Sequence, residues 1–504
     1  MKLSNIFIAV LILGLLARII SLIILPEEAY SDAIYHLLYA KEILLQQNAS
    51  VVFNGLIIDT PFYHVLTAII FSITSWQFVL PFIRFLPAIM IFLQLALLLL
   101  ILRKILPSNE IIGISFAAIF PWLIVYGTIN YLDTFVSVLV LGAVFALIKF
   151  NETAKIQWVI VFFFILLAMV FSSLVLLFMI PLLVLIMIFL LRKKGFLKTI
   201  SLQNFIIIAM ILLVILSMSR GYFECGKMFC SVGDNDPGVN PTFNNLNVFE
   251  PEFWLGSYLS FFDFPTLESF ERVSFLQTIP FKIIIPLFIL VTIPIFLLIL
   301  FGVIKYLQEK NLIGKIIILL ILSVIAIAFY ITLVDDRVLE VFYVRFLIAI
   351  MPLLAILFAK GFIELRQEHF RKIAVLSLLL FAFYSLAFTG VSASYYNSIE
   401  QKHQGLYSFA STLPENANIY SKVKSRAIKF NSARNSGEII EYDKDFYSQS
   451  SNYIYSQLKE EGFTYLVEEC YRNPWKQQTI NELVENNKLA KVFEDECVKV
   501  YEIQ

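Results

Sequence analysis

Residues 80–104 read LPFIRFLPAIMIFLQLALLLLILRK. From 80 to 102 this run is predominantly apolar, and it ends on Arg103-Lys104. Crossing the hydrocarbon core of a bilayer takes about 20 apolar residues, so the run is long enough to span. Lys and Arg collect on the cytoplasmic side of membrane helices, which places Arg103 and Lys104 inside. The same pattern recurs along most of the chain and decides its class: an α-helical polytopic membrane protein.

Composition agrees. Of 504 residues, 59% are hydrophobic and only 15% charged, against about 25% charged in soluble domains; mean hydropathy is +0.82. The charge is unevenly placed, with 29 of the charged residues in the last 112 positions. Phe is abundant (49) and Gly sparse (18), which suits long, regular apolar helices. The formal net charge of zero gives no basis for a nucleic-acid partner or a polybasic surface anchor.

Working outward from residue 80, spans are predicted at 4–25, 110–127, 134–150, 156–172, 173–191, 200–219, 281–304, 315–334, 346–362 and 372–392. The apolar stretch 62–75 is shorter, the length of an interfacial or re-entrant helix. The total is about eleven crossings. The basic turns, with Lys149, Lys155, Arg192, Lys193, Lys305, Lys310, Arg366 and Arg371, fall on the cytoplasmic side. Arg18 interrupts the first span, so this is a retained helix and not a cleaved signal; an ionisable group at that depth is a functional suspect, although snorkelling would also serve it. Residues 1–392 therefore form a transmembrane domain with a first outer loop at 26–60 and a long outer loop at 220–280. Residues 393–504 form a small soluble α/β domain outside the membrane, with strands predicted at Asn418–Tyr420, Glu438–Tyr442, Phe463–Val467 and Cys497–Ile503 and helices at Tyr453–Glu461 and Gln478–Asn486. All four cysteines, one set of Cys225 and Cys230 in the long loop and one of Cys470 and Cys497 in the tail, fall outside, the disulfide-permissive side. Pairing within each set is one of the connectivities they allow.

The first outer loop holds the segment richest in chemistry, Tyr30-Ser31-Asp32-Ala33-Ile34-Tyr35-His36-Leu37-Leu38-Tyr39-Ala40-Lys41-Glu42. At about 3.6 residues per turn, Asp32, Tyr35, His36, Tyr39, Glu42 and Gln46 share one face and Ile34, Leu37, Leu38, Leu44 and Leu45 the other. This is the pattern of an amphipathic helix at the membrane surface. Asp133 opens the span that follows Asn130. Each aspartate also suits the start of a helix, where a carboxylate complements the dipole. Arg345, in Tyr343-Val344-Arg345-Phe346, and Arg84 stand at outer mouths of spans, where a guanidinium can grip a phosphate with two hydrogen bonds or simply anchor to headgroups. His64 begins the short helix after Pro61.

These motifs, taken in order, resemble the GT-C superfamily of polytopic glycosyltransferases, in particular the dolichyl-phosphate-mannose protein mannosyltransferase-like branch and the aminoarabinose transferases. The likeness runs through Asp32-Ala33-Ile34-Tyr35-His36 with Ala40-Lys41-Glu42, then Thr60-Pro61-Phe62-Tyr63-His64, Arg84-Phe85-Leu86-Pro87, Asn130-Tyr131-Leu132-Asp133-Thr134-Phe135, and Arg345-Phe346 leading to Pro352. The resemblance implies transfer of a sugar from a polyprenyl-phosphate donor to a protein, lipid or glycan acceptor on the extracytoplasmic face of a cell membrane or an endoplasmic-reticulum-like membrane. It makes Asp32 and Asp133 the catalytic acids, Asp32 the general base of an inverting transfer. Arg345, Arg84, His36, His64, Tyr35 and Tyr39 become binding groups for the lipid phosphate and sugar. A divalent ion (Mg, Mn or Zn) stays open as a cofactor, with Asp32 and Asp133 as its ligands; the neighbours of Asp32 are Ser31 and Ala33, where the family often has paired acids. The Trp-Trp-Asp-Tyr-Gly signature of the oligosaccharyltransferase relatives is absent. An oligosaccharyltransferase-like enzyme, or a transporter or flippase of lipid-linked glycans, is the alternative; a transporter calls for inverted repeats and matched broken spans.

A topology reporter fused after Gln504 should read as extracytoplasmic and one inserted at Lys193 as cytoplasmic. Finding both on one side would contradict the crossing number.

Overall fold

The structure is a computed structural model that describes residues 3–26, 31–46, 61–73, 84–129, 132–172, 174–195, 251–262, 281–334, 347–422, 425–432, 434–437, 446–469 and 475–504, with a few positions between 208 and 215. In chain order its helices are α1 (Leu3–Ile24), α2 (Ser31–Gln46), α3 (Pro61–Ile73), α4 (Phe85–Ile105), α5 (Glu110–Ile119), α6 (Pro121–Thr128), α7 (Leu132–Thr153), α8 (Ile156–Val170), α9 (Leu174–Lys193), α10 (Pro251–Phe261), α11 (Phe281–Gln308), α12 (Leu312–Val334), α13 (Met351–Glu364) and α14 (Glu368–Thr412). Among the described residues six helices are long and apolar enough to cross a membrane, and α5 with α6 forms a seventh, bent pair. The chain is an integral membrane protein. Contacts divide it into two units, Met1–Ile23 with Gln46–Val391, and Ile24–Leu45 with Ser392–Gln504.

In the first unit, α13 is buried from Met351 to Phe362 on every face, as befits a helix that is apolar all round. Phe116 of α5 stacks on Phe358 of α13 with ring centroids 4.5 Å apart, and Phe7 of α1 meets Phe362 edge-on at 5.1 Å. Lipid-facing surfaces carry exposed Phe92, Leu290 and Leu297. Glycine decides the closest approach. A Cβ built on Gly302 of α11 would run into the Leu357 carbonyl, and one on Gly361 of α13 into the Leu298 carbonyl. The two backbones touch because neither position has a side chain, the small-residue device of membrane helix pairs. The ammonium of Lys360, one residue earlier, binds Glu309 at 2.5 Å and Glu364 at 2.9 Å, so its charge is paired.

The span predicted as continuous over 110–127 is instead broken. Phe120 leaves helical geometry (φ −70°, ψ 117°) and Pro121 starts α6 at its first position, with a bend of 64° between the two helices. Proline has no N–H and pushes the preceding residue into extended backbone, so Phe120-Pro121 stops one helix and begins the next. Two other spans differ from the sequence reading: the one predicted over 346–362 is interrupted by a turn at Ala349-Ile350 before α13 starts at Met351, and that predicted over 372–392 is part of the 45-residue α14.

The second unit is built on a mixed sheet, with β1 (Asn418–Tyr420), helix α15 (Ser425–Ser432), β2 (Asn435–Gly437), helix α16 (Ser451–Glu460), β3 (Tyr465–Glu469), helix α17 (Gln477–Glu485), β4 (Leu489–Glu494) and β5 (Val498–Ile503). The order is β2-β1-β3-β5-β4. β1 runs parallel to β2 and β3, whereas β5 runs antiparallel to β3 and β4. Successive strand residues feed opposite cores. Leu466, Tyr501 and Tyr420 join Phe446 and Trp475 on one side, while Val467, Val500 and Ile419 join Leu406 and Ile428 on the other. The predicted helices Tyr453–Glu461 and Gln478–Asn486 form within a residue or two of those limits. Strands β2 and β4 and helix α15 were not read from the sequence, and the predicted strand Glu438–Tyr442 lies outside the described residues. Cys497 is buried and disulfide-bonded; Cys225, Cys230 and Cys470 lie outside the described residues. Glu469 is registered opposite Val498, and on that register we propose Cys470 as the partner of Cys497.

Replacing Gly361 by Val should cost at least the roughly 1–3 kcal/mol of ordinary overpacking, because the obstructing atoms are backbone. Equilibrium unfolding in detergent checks this; a Gly361→Val protein as stable as wild type would show that α11 and α13 do not pack this closely.

Candidate functional site

One end of the first unit gathers several of the residues singled out in the sequence. Pro61 opens α3 as a first-turn proline, and the next turn buries Tyr63 and His64. The Tyr63 ring lies 5.9 Å from that of Phe135, in the first turn of α7. Asp133 is the second residue of α7, where a carboxylate complements the positive helix end. Its side chain lies outside the described residues. Arg84 precedes α4 and donates from Nη1 to the Thr128 carbonyl at 3.2 Å, at the C-terminal end of α6. The site therefore draws on α3, α4, α6 and α7, and the tip of the short broken helix is its centre.

Hydroxyls fasten that tip. Ser21 Oγ and Thr128 Oγ1 are 2.6 Å apart, and Thr128 Oγ1 also reaches the carbonyls of Ile124 and Val125 at 3.0 Å. Thr134 donates to the Tyr126 carbonyl at 3.0 Å, tying the start of α7 back to α6. One turn further on, Ser137 donates to the Thr134 carbonyl at 2.8 Å and accepts from Gln94 Nε2 at 2.5 Å. Sequence reading missed Ser21, Gln94, Thr128 and Ser137, and gave Thr134 no role beyond its place in the Asp133 motif. Isolated hydroxyls in apolar runs carry no signal of their own, since each can bond to its own helix backbone.

Arg18 sits below this network and does not snorkel. It is 3% exposed, and its guanidinium donates to the carbonyls of Ala117 and Leu123 at 3.0 Å and of Ala118 at 3.3 Å. Those carbonyls flank the break at Phe120-Pro121.

Asp32, Tyr35, His36 and Tyr39 belong to α2, in the second unit. The helix forms over Ser31–Gln46 as the sequence pattern predicts. The side chains of Asp32 and Tyr35 lie outside the described residues. His36 is only 4% exposed, Ile34 and Leu37 are buried, and Tyr39 is half-buried; α2 is thus packed on both faces at His36, a departure from the amphipathic surface helix. Glu42 pairs with Lys429 of α15 at 3.2 Å. Burial, and then the nearby charge of Lys429, hold the Lys41 ammonium below its ordinary value. Elsewhere in this unit buried carboxylates are matched by donors: Tyr501 to Glu468 at 2.8 Å, Ser421 to Glu469 at 2.7 Å, and Tyr407 to Glu400. Burial and the Glu468 contact raise the Tyr501 phenol above its usual value. Arg345 lies outside the described residues. Among the described residues no group of three or more His, Cys, Asp or Glu side chains is placed to hold a metal ion.

No protein-family model matches the chain, and no curated protein does. Solved structures do. The fold is similar to that of ArnT from Cupriavidus metallidurans bound to undecaprenyl phosphate, with a TM-score of 0.56 and 12% identity over 99% of this chain and 98% of that one. It is also similar to the archaeal oligosaccharyltransferase AglB from Archaeoglobus fulgidus in complex with an inhibitory peptide and a dolichol-phosphate, with a TM-score of 0.53 and 13% identity over 92% of this chain and 69% of that one. The chain has the polytopic GT-C fold, with a small domain at its C-terminus.

Arg84→Ala should lower stability by about 1 kcal/mol, the scale of one such hydrogen bond, as read by unfolding in detergent. Unchanged stability would mean that the contact with Thr128 contributes nothing.

Proposed function

We propose that this protein is a membrane glycosyltransferase that moves one sugar from a polyprenyl-phosphate donor to an acceptor hydroxyl, on the extracytoplasmic face and with inversion. The observation that carries the proposal is the likeness, over almost the whole of both chains, to ArnT bound to undecaprenyl phosphate. The ordered motifs read from the sequence support it independently.

The chemistry needs two kinds of group. The donor leaves as a lipid phosphate, so developing negative charge must meet fixed donors or cations. Arg84 and Arg345 fill that role in this reading, with His36, His64, Tyr35 and Tyr39 orienting sugar or phosphate. An acceptor hydroxyl is a weak nucleophile until a carboxylate takes its proton. Asp32 is the proposed base, and attack opposite the departing phosphate gives inversion. Asp133 orients the acceptor. A divalent ion, if one binds, would neutralise phosphate charge there, with Asp32 and Asp133 the carboxylates offered to it.

A second reading, transfer of an oligosaccharide, is favoured by the likeness to AglB. Single-sugar transfer accounts better for the lengths: the match takes in 98% of ArnT but 69% of AglB. The absent Trp-Trp-Asp-Tyr-Gly signature points the same way.

Purified protein given a panel of polyprenyl-phosphate sugars and candidate acceptors should release lipid phosphate in step with sugar transfer. With the donor that works, Asp32→Asn should retain donor binding and slow single-turnover transfer by roughly 10²–10⁴, the usual loss on removing a general base; Asp133→Asn should lose less. An inert wild type with every donor would sink the proposed activity, and wild-type turnover by Asp32→Asn would remove Asp32 from the mechanism.

A further inference from the structure

A helix broken inside a bilayer leaves carbonyls that water cannot reach. Carbonyls in the last turn of α5, from Phe116 to Ile119, have no helical N–H partner in the usual ladder, and for Ala117 the residue four positions on is Pro121, which has no N–H to give. The Arg18 guanidinium meets this deficit directly. Nη2 donates to Ala117 and Nε to Ala118, while Nη1 crosses the break to Leu123 in α6. One planar fork thus holds both sides of the bend. The C-terminal end of α5 offers about half a negative charge, which helps to stabilise the buried cation.

The same residue lies against the part of α6 that the candidate site uses. A Cβ built on Gly127 would stand 3.5 Å from Arg18 Nη1 and 3.6 Å from Thr134 Oγ1. A turn along α1 from Arg18, Ser21 meets Thr128, whose carbonyl accepts from Arg84. Thr134, beside Asp133, is bonded to Tyr126. We infer that Arg18 is a positioning residue: by capping the broken span it fixes the tip of α6, and through that tip the guanidinium of Arg84 and the turn that presents Asp133. The inference rests on the proposed glycosyltransferase reading for what Asp133 does, but the cap itself does not.

The test uses Arg18→Met, which removes every donor, and Arg18→Lys, which keeps the charge but loses the planar fork and serves if the Met protein does not fold. Backbone hydrogen exchange is followed by mass spectrometry on the full chain in lipid nanodiscs. Exchange should accelerate in the segment 119–134 of the variants, more in Met than in Lys, while the other helices keep their wild-type protection. Transfer should show kcat falling ten- to a hundredfold, the scale of a small misplacement of reacting groups, with donor KM within about twofold and partial recovery in Arg18→Lys. Wild-type exchange across 119–134 in both variants overturns the inference, as does wild-type kcat. Loss of protection spread evenly over all helices also overturns it, since Arg18 would then hold the fold at large. If the wild type transfers no sugar, the proposed activity fails, and the exchange result alone decides whether Arg18 sets this segment.

Discussion

Within lipid, a backbone carbonyl that loses its helical partner has no water to turn to. In this chain that constraint acts at the bend between α5 and α6, where the single side chain of Arg18 answers the carbonyls of Ala117 and Ala118 and also reaches that of Leu123 across the break. The bend turns a span into two short helices and so gives α6 a free end at Thr128. Ser21, Arg84 and Thr134 all converge on that short helix. Removing the proline would restore an N–H donor at the break; removing the arginine would leave the bend unsatisfied. Either change reaches the candidate site without touching the residues proposed to act in it.

Much of the architecture was legible because apolar length and basic turns are physical requirements of a bilayer. The limits of α4, α7, α8, α9 and α11 follow the apolar runs within a few residues. Arg103-Lys104 and Arg192-Lys193 close α4 and α9 as expected. The break at Phe120-Pro121 was not read, since the run 110–127 has the composition of one span and proline is tolerated in membrane helices when neighbours supply the missing partner. That partner lies a hundred residues away in sequence. In the tail, β2 is three residues long and β4 alternates weakly, with Lys491 and Glu494 exposed on an edge strand; neither carries a clear period-two signal.

The candidate site was legible in parts. Tyr63, His64, Arg84 and the start of α7 come from three separated motifs, and the fold brings them to one end of the first unit. His36 was read correctly as part of a helix, but its burial depends on tertiary packing that periodicity does not encode. The broken span bears on the rival transporter reading, because transporters use interrupted helices in matched pairs. Among the described residues a single bent pair occurs, and two of its freed carbonyls, those of Ala117 and Ala118, are taken by the protein's own arginine.

The proposed handling of the lipid phosphate by Arg84, beside the end of α6, can be put to a direct measurement. A polyprenyl phosphate carrying a photoreactive group beside its phosphate is cross-linked to the protein in nanodiscs, and the labelled peptides are sequenced. The expected labels fall on the peptides holding Arg84 and residues 129–135, and excess unlabelled polyprenyl phosphate suppresses them. Labels confined to the opposite-charge cluster of Lys360, Glu309 and Glu364, or spread without competition over the lipid-facing helices, would contradict it.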